Sequence, residues 1–335
     1  MKKLALIAVF SLVLTVVFGI QNSFAERLLS VGIAQLDCNF DPDLQKRVQT
    51  NLGKLSLYAG IIKALRNVDL LVFPEVFIPG PDSLNFGKLA EPIPDGATTQ
   101  ALMKLAKDLK IWLLPGSLME KGEDGKLYNT AIVISPEGKL VTKYRKMFPA
   151  RPVESPDEPG SKFVVFDIPG KGRVGVMICW DVMQPEVART LVWMGAEAII
   201  KPTFQDDGEG GERSRIPMNI ARAIENQAYI VDCNVSAPMG NGFSAIIDPE
   251  GRVVEKLGNA ESFTSTVIDF DLVHRVREYG SFAGGFTFLK WWAYLRNVKE
   301  FPPYVKGIEK GEVFKTLTPS FANDPSQIKL YKDQK

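Results

Sequence analysis

The chain has 335 residues, 45% of them hydrophobic, and Lys plus Arg (40) almost cancels Asp plus Glu (39). That length and apolar content allow a large buried core, and the charge balance excludes the broad cationic face of a nucleic-acid binder. Three cysteines without a C-x-x-C pair and a single histidine, His274, argue against a clustered His/Cys metal site and against His-dependent hydrolase arrangements. A lone histidine late in the chain reads as a surface or packing residue rather than as a base.

Met1-Lys2-Lys3 leads into an apolar run, Leu4 to Ile20, and Ser23-Phe24-Ala25 places small residues where a signal peptidase reads them. The expectation is export, with residues 1–25 removed and a mature chain beginning at Glu26. An uncleaved membrane anchor is the competing reading. Export would put Cys38 and Cys233 in an oxidising compartment, either paired with each other or as separate buried thiols.

Val31 to Gln35 alternates as a short strand, and Asp41-Pro42 is expected to open a helix as N-cap and first-turn residue. Leu44, Val48, Leu52, Leu55, Ala59 and Ile62 make one apolar stripe along it. Val68 to Phe73 is nearly all apolar, the pattern of a strand covered on both faces, and it ends in Pro74-Glu75. A carboxylate at that exit is costly unless paired or functional. Thr98 to Lys110 reads as a helix and Ile111 to Leu114 as a strand.

Tyr128 to Ile134 and Lys139 to Tyr144 flank a hairpin signal, Ser135-Pro136-Glu137-Gly138, and Ile246 to Val253 repeats that hairpin late in the chain. The recurrence predicts two similar halves, each an α/β layer ending in antiparallel strands, stacked sheet on sheet. Between them lie a Pro-rich loop, the strand pair Phe163 to Phe166 and Arg173 to Ile178, and a helix after Pro185 with Val187, Leu191 and Met194 in register. Ala198 to Thr203 is the next strand. Glu212 to Gln227 is a helix with Ile216, Ile220 and Ile224 in register, and Tyr229 to Val235 is a strand. The periodic pattern ends near Val273, which sets a domain of 26–272 and an extension of 273–335. That extension holds an aromatic, Gly-rich stretch from Gly280 to Arg296. It reads as packed on its own domain or as an arm reaching a neighbouring subunit.

Glu75, Lys146 and Cys179 each fall at or just past the C-terminal end of a predicted strand, the edge where α/β sites collect. A thiol near its ordinary pKa is mostly protonated at neutral pH, so a cysteine nucleophile needs a base or a cation beside it. Glu75 is suited to take the proton, and Lys146 to stabilise the thiolate and the oxyanion formed on a carbonyl. Lys146 and the backbone N–H of Trp180 are the candidate oxyanion donors, each worth roughly 3 kcal/mol of barrier. Trp180 also offers a pocket wall. Taken alone these residue types are common, and the plain reading of Cys179 is a small buried hydrophobe closing a strand.

Leu71-Val72-Phe73-Pro74-Glu75, Lys143-Tyr144-Arg145-Lys146 and Gly175-Val176-Met177-Ile178-Cys179-Trp180-Asp181 resemble, in order, the Glu, Lys and Cys motifs of the nitrilase, or carbon–nitrogen hydrolase, superfamily. Pro185-Glu186, Gly195-Ala196-Glu197, Ala221 to Tyr229 and Asp248-Pro249-Glu250-Gly251 extend the likeness, which runs from about Val31 to Leu272. The resemblance implies a four-layer α-β-β-α sandwich that dimerises, and attack on a nonpeptide C–N bond without cofactor or metal. It implies Cys179 as nucleophile, Glu75 as general base and Lys146 as oxyanion stabiliser. A second acid follows the lysine in many members; Glu154 is the best match, with Asp157 and Glu158 close by. Cys179-Trp180-Asp181 followed by Pro185-Glu186 looks more like the amidase and carbamoyl-amide branches than the true nitrilases. The expected substrate is a small amide or carbamoyl compound; acyl transfer, nitrile hydrolysis and a noncatalytic binding role are the alternatives. Asp206, Asp207, Glu209 and Arg213 mark a loop that either meets a polar substrate or is simply solvated.

Overall fold

The structure, a computed structural model, describes residues 26–151, 153, 154, 156–206 and 211–280. The expected signal segment, Asp207, Glu209 and the aromatic stretch beyond Gly280 lie outside the described residues.

The first half of the chain supplies β1 (Leu28–Gln35), β2 (Leu70–Val72), β3 (Trp112–Leu114), β4 (Ser117–Lys121), β5 (Leu127–Ile134) and β6 (Leu140–Arg145). Helices α1 (Leu44–Arg66), α2 (Phe86–Leu89) and α3 (Ala97–Leu109) lie between them. The second half supplies β7 (Val164–Ile168), β8 (Gly172–Val176), α4 (Pro185–Trp193), β9 (Ala198–Thr203), α5 (Gly211–Asn226), β10 (Tyr229–Asn234), β11 (Ala245–Ile247) and β12 (Val253–Lys256). These strands form a second sheet in the order β12-β11-β10-β9-β8-β7. The chain then returns to the first sheet: β13 (Ser262–Asp269) pairs antiparallel with β1, giving the order β13-β1-β2-β3-β5-β4, with β6 on β5.

The period-2 alternation of strand side chains sets the layers. Val31, Ile33, Leu70 and Val72 point into one interior shared with Val174, Val176, Ala198, Ile200 and Val231, so the two sheets face each other. Leu71 and Phe73 point the opposite way, onto Leu55, Ala59 and Ile62 of α1 and Leu102 and Ala106 of α3. Helices α4 and α5 pack on β8 and β10. The expected four-layer α-β-β-α sandwich of the nitrilase type is therefore the architecture.

The N-cap of α1 is Asp43, not Asp41. Its carboxylate accepts from the N–H groups of Gln45 (3.0 Å) and Lys46 (3.1 Å), while Asp41 accepts from the Asp43 N–H one turn earlier. The N-terminal half of α1 buries Arg47 and Asn51 rather than Leu44, because Arg47 pairs with Asp82 at 2.9 Å. Of the isoleucine register in α5 only Ile216 is buried; the inward ridge is polar, Arg215, Asn219, Arg222 and Asn226. Periodicity does not stop at Val273 either. Helix α6 (Phe270–Tyr279) sends Val273 and Val276 into the core, and the compact unit runs through Glu278. Cys38 and Cys233 are free, buried thiols. Cys233 donates to the carbonyls of Ala34 (3.4 Å) and Val72 (3.5 Å), so its sulfur is turned toward the first sheet.

Candidate active site

Glu75 stands three residues past β2, held by contacts that leave it little freedom. Its backbone N–H donates to the Thr203 carbonyl at the end of β9 (3.3 Å), and the Val76 N–H donates to Ser117 Oγ (3.0 Å). Gly116 lets the Pro74 carbonyl pass: at φ +87°, a Cβ there would sit 1.7 Å from Pro74 O. The buried apolar strand thus delivers its carboxylate to one defined place.

Lys146, the residue after β6, meets that carboxylate. Its Nζ lies 2.8 Å from Glu75 Oε1 and 2.9 and 2.8 Å from the two oxygens of Glu154. Asn129 of β5 bridges the same pair, its Nδ2 donating to Glu75 Oε1 (2.8 Å) and Glu154 Oε1 (3.0 Å). The Ala150 N–H completes the cradle around Glu154. Lys146 and Glu75 are each only 2% exposed. Burial alone would lower the Lys146 pKa, but the charges of Glu75 and Glu154 outweigh it and hold the ammonium well above its ordinary value. Burial, joined by the charge of Glu154 and opposed by Lys146, raises the Glu75 carboxyl above its ordinary value. A carboxylate raised toward neutrality is a better general base than a solvated one.

Cys179 opens a 3₁₀ turn, Cys179–Met183, directly after the second-sheet strand β8. Its backbone is left-handed, φ +43°, a conformation a non-glycine residue adopts only when its surroundings enforce it. Asp181 does the enforcing. Its buried carboxylate accepts from the N–H of Ile178 (2.8 Å), the N–H of Phe148 (2.9 Å) and the Tyr144 hydroxyl (2.7 Å), pinning the turn to the segment that carries Lys146. Burial pushes Asp181 up to about 6, against those donors and Lys146. The Cys179 thiol donates to the Phe204 carbonyl at 3.4 Å, and Phe204 in turn donates its N–H to Glu75 Oε2 at 2.8 Å. Burial and the neighbouring Glu75 push the thiol well up, against Lys146 and Lys201.

Beside Cys179 lies a cavity of about 80 Å³ whose lining includes Trp180, Val182, Met183 and Met218. The structure therefore brings Glu75, Lys146, Glu154 and Cys179 together, and sets Trp180 in the cavity wall. Of the three acids after the lysine, Glu154 reaches Lys146. Among the described residues Asp157 is buried without a hydrogen-bond partner for either oxygen, and Glu158 pairs with the exposed Lys126 at 3.4 Å. His274 is on the surface of α6, its side chain 72% exposed. Sequence reasoning passed over Asn129 and the buried pair Lys201–Asp232. Each is a polar or charged residue inside an otherwise apolar strand, in Tyr128 to Ile134, Ala198 to Thr203 and Tyr229 to Val235, and that interruption was the available signal.

Residues 30–278 match the model of the carbon-nitrogen hydrolase family. The chain belongs to that family. As a carbon-nitrogen hydrolase it acts on C–N bonds other than peptide bonds. It is 32% identical over 229 residues to an omega-amidase, NIT2-A, of Xenopus laevis, covering 64% of this chain and 82% of the relative. It is 30% identical over 230 residues to the Homo sapiens omega-amidase NIT2, with the same coverage. Among solved structures, Saccharomyces cerevisiae Nit3, a member of branch 10 of the nitrilase superfamily, superposes with a TM-score of 0.68 at 28% identity, covering 75% of this chain and 93% of that one. An amidase from Nesterenkonia shares the fold at a TM-score of 0.65 and 22% identity, covering 75% and 94%.

Proposed function

We propose that this carbon-nitrogen hydrolase is an amidase acting on a small amide or carbamoyl compound through a thioester at Cys179. Glu75 takes the thiol proton as Sγ adds to the substrate carbonyl carbon, and the ammonium of Lys146 stabilises the oxygen that becomes negative. The backbone N–H of Trp180 is the second donor. The C–N bond then breaks, the proton held by Glu75 passes to the leaving nitrogen, and ammonia or an amine departs. Water enters, gives its proton to Glu75 and attacks the thioester. The acid product leaves, and Cys179 regains the proton. Glu154 touches none of the reacting atoms in this scheme; it holds Lys146 in place.

One observation carries the reading: the base and the cation are in contact at 2.8 Å, and the base shares Phe204 with the only thiol in the cluster. The omega-amidase relatives support an amide rather than a nitrile as substrate. A screen of aliphatic amides, carbamoyl compounds and nitriles with ammonia detection tests it. Release from amides or carbamoyl compounds is expected; release confined to nitriles, or from none, would overturn it.

We also propose that the basic Met1-Lys2-Lys3 and the apolar run after it direct export with removal of residues 1–25, and that the enzyme works as a homodimer or higher homo-oligomer. Mass spectrometry of the natively produced protein should find Glu26 as its first residue, and a cytoplasmic product starting at Met1 would contradict export. Sedimentation should give at least twice the monomer mass.

A further inference from the structure

Helix α1 buries one face and leaves a second apolar ridge bare. Leu55, Ala59 and Ile62 face the sheet and are fully covered. On the solvent side Leu57, Ile61 and Leu65 recur at four-residue spacing, 61%, 36% and 68% exposed. Ala64 is exposed beside them, and no described residue comes within 4 Å of a Cβ built on Gly53 or Gly60. Apolar side chains therefore run right round the helix from Leu55 to Leu65, the pattern of a helix covered on every side. Among the described residues nothing covers this ridge.

Charge singles out the same layer. In a chain whose charges almost cancel, α1 carries Lys46, Arg47, Lys54, Lys63 and Arg66 and no Asp or Glu. Arg47 turns inward to Asp82, while Lys46 and Lys54 pair with Asp41 and Glu261 outside the helix. Lys63 and Arg66, on either side of Leu65, have no carboxylate partner among the described residues; Lys63 donates to the Val68 carbonyl (3.0 Å) and Arg66 is exposed. Helix α3, on the same face of the first sheet, adds exposed Lys104 and Lys107 against one acid, Asp108.

The ridge ends where the chain enters the fold. Val31 of β1 pairs with Leu70 of β2; the Ser30 N–H donates to the Asp69 carboxylate (2.9 Å) and the Asp69 N–H to the Ser30 carbonyl (2.8 Å). Leu65 and Arg66 close α1 just before Asp69, so they lie at the end of the sheet where β1 receives the chain from residues 1–25. Those residues have the basic start and apolar run of a membrane-directed segment.

The occupant of the ridge has to be apolar and anionic. A second copy of the helix is neither: pairing α1 with itself about a two-fold would set basic ridge against basic ridge with no acid on either. A groove suits a peptide, whereas a convex helix in an outermost layer suits a plane. We propose that the outer face of α1 docks the enzyme on the surface of a bilayer containing anionic phospholipid. Leu57, Ile61 and Leu65 enter the acyl boundary, and Lys63 and Arg66 meet the phosphates. Neither α1 nor α3 contributes a residue to the cluster around Cys179, so this docking and the amidase reading stand or fall separately.

Flotation of the natively produced protein with vesicles tests it. Wild type should float with phosphatidylcholine vesicles containing about one-third phosphatidylglycerol at low salt, and be released at high salt. Leu57→Glu combined with Leu65→Glu should lower partitioning by about tenfold or more. Arg66→Ala combined with Lys107→Ala should lower it by about fivefold for each charge removed. All four side chains are exposed, so melting temperatures should match wild type. No flotation of wild type, equal flotation with phosphatidylcholine alone, or variants that float as wild type does would overturn the proposal. Attachment through residues 1–25 would give the last two results. If the double leucine variant sediments as a smaller assembly than wild type, a second copy covers the ridge and the proposal is likewise overturned.

Discussion

Glu75 and Cys179 hold the two ends of one residue, Phe204, whose N–H donates to the carboxylate at 2.8 Å and whose carbonyl accepts from the thiol at 3.4 Å. The two come from different sheets, so the registry of carboxylate and thiol is set where the sheets meet, by the backbone just past β9. The resting thiol points its proton at a neutral carbonyl.

Glu75→Gln keeps a side chain that can still meet Asn129 and Phe204 but cannot accept a proton. Amide turnover should fall by about 10²–10⁴. In the wild type, kcat/KM should rise with pH through a value above the ordinary glutamate range, because the base form appears only above the raised pKa. That acid limb should vanish from the residual activity of the variant; a limb that persists unchanged would assign it to another group.

Lys146→Met removes the one cation between Glu75 and Glu154. Turnover should drop by about 10²–10³ for the lost oxyanion donor. Breaking a buried ion pair from one side should also destabilise the protein by about 3–5 kcal/mol. The loss should be larger at pH 8 than at pH 5, because Glu75, raised by burial and deprived of its cation, favours its proton and gives it up at a cost as pH rises. Equal melting temperatures for variant and wild type at both pH values would contradict the arrangement.

Asp157 is 1% exposed, and neither of its oxygens has a hydrogen-bond partner among the described residues. Burial, with the charge of Glu154 beside it, pushes its carboxyl up to about 7. A raised carboxyl stabilises the fold while protonated. That contribution is complete below the unfolded value near 4 and disappears as pH passes 7. Asp157→Asn should therefore raise the melting temperature at pH 8 relative to wild type and have little effect at pH 4, with a limiting difference of about 4 kcal/mol. A shift of the same size at both pH values would mean the group is not the one titrating.

Tyr144→Phe deletes the hydroxyl that donates to Asp181 at 2.7 Å. The buried carboxylate then loses one of three donors, at a cost of about 1–3 kcal/mol. The left-handed backbone at Cys179 rests on that clamp, so kcat should fall more than KM changes. If stability drops while kcat is untouched, the turn holds its geometry without Tyr144.

Sequence patterning was most informative where burial is uniform. The apolar run Val68 to Phe73 announced a strand covered on both faces, and the carboxylate at its exit, Glu75, was suspect for its cost alone. The strand Ala198–Thr203 was read to the residue. Patterning failed where polar groups are buried for a partner distant in the chain. The α5 ridge of Arg215, Asn219 and Arg222 went unread because nothing nearby in sequence points to Asp232. Strand β4 went unread for the same reason: Glu120 inside it is buried against Lys143 and Arg145 of the hairpin that follows. The cap at Asp43 was missed by two residues because Asp41 and Asp43 carry identical capping chemistry, and only the backbone path distinguishes them.

The central claim is the covalent step at Cys179. Acid quenching during turnover of a small amide, followed by mass analysis of the Cys179 peptide, measures it directly. The expected result is a mass increase equal to the substrate's acyl group on that peptide, absent in Cys179→Ala, whose turnover should be lost. Continued amide hydrolysis by Cys179→Ala, or an acyl group on a different residue, would contradict it.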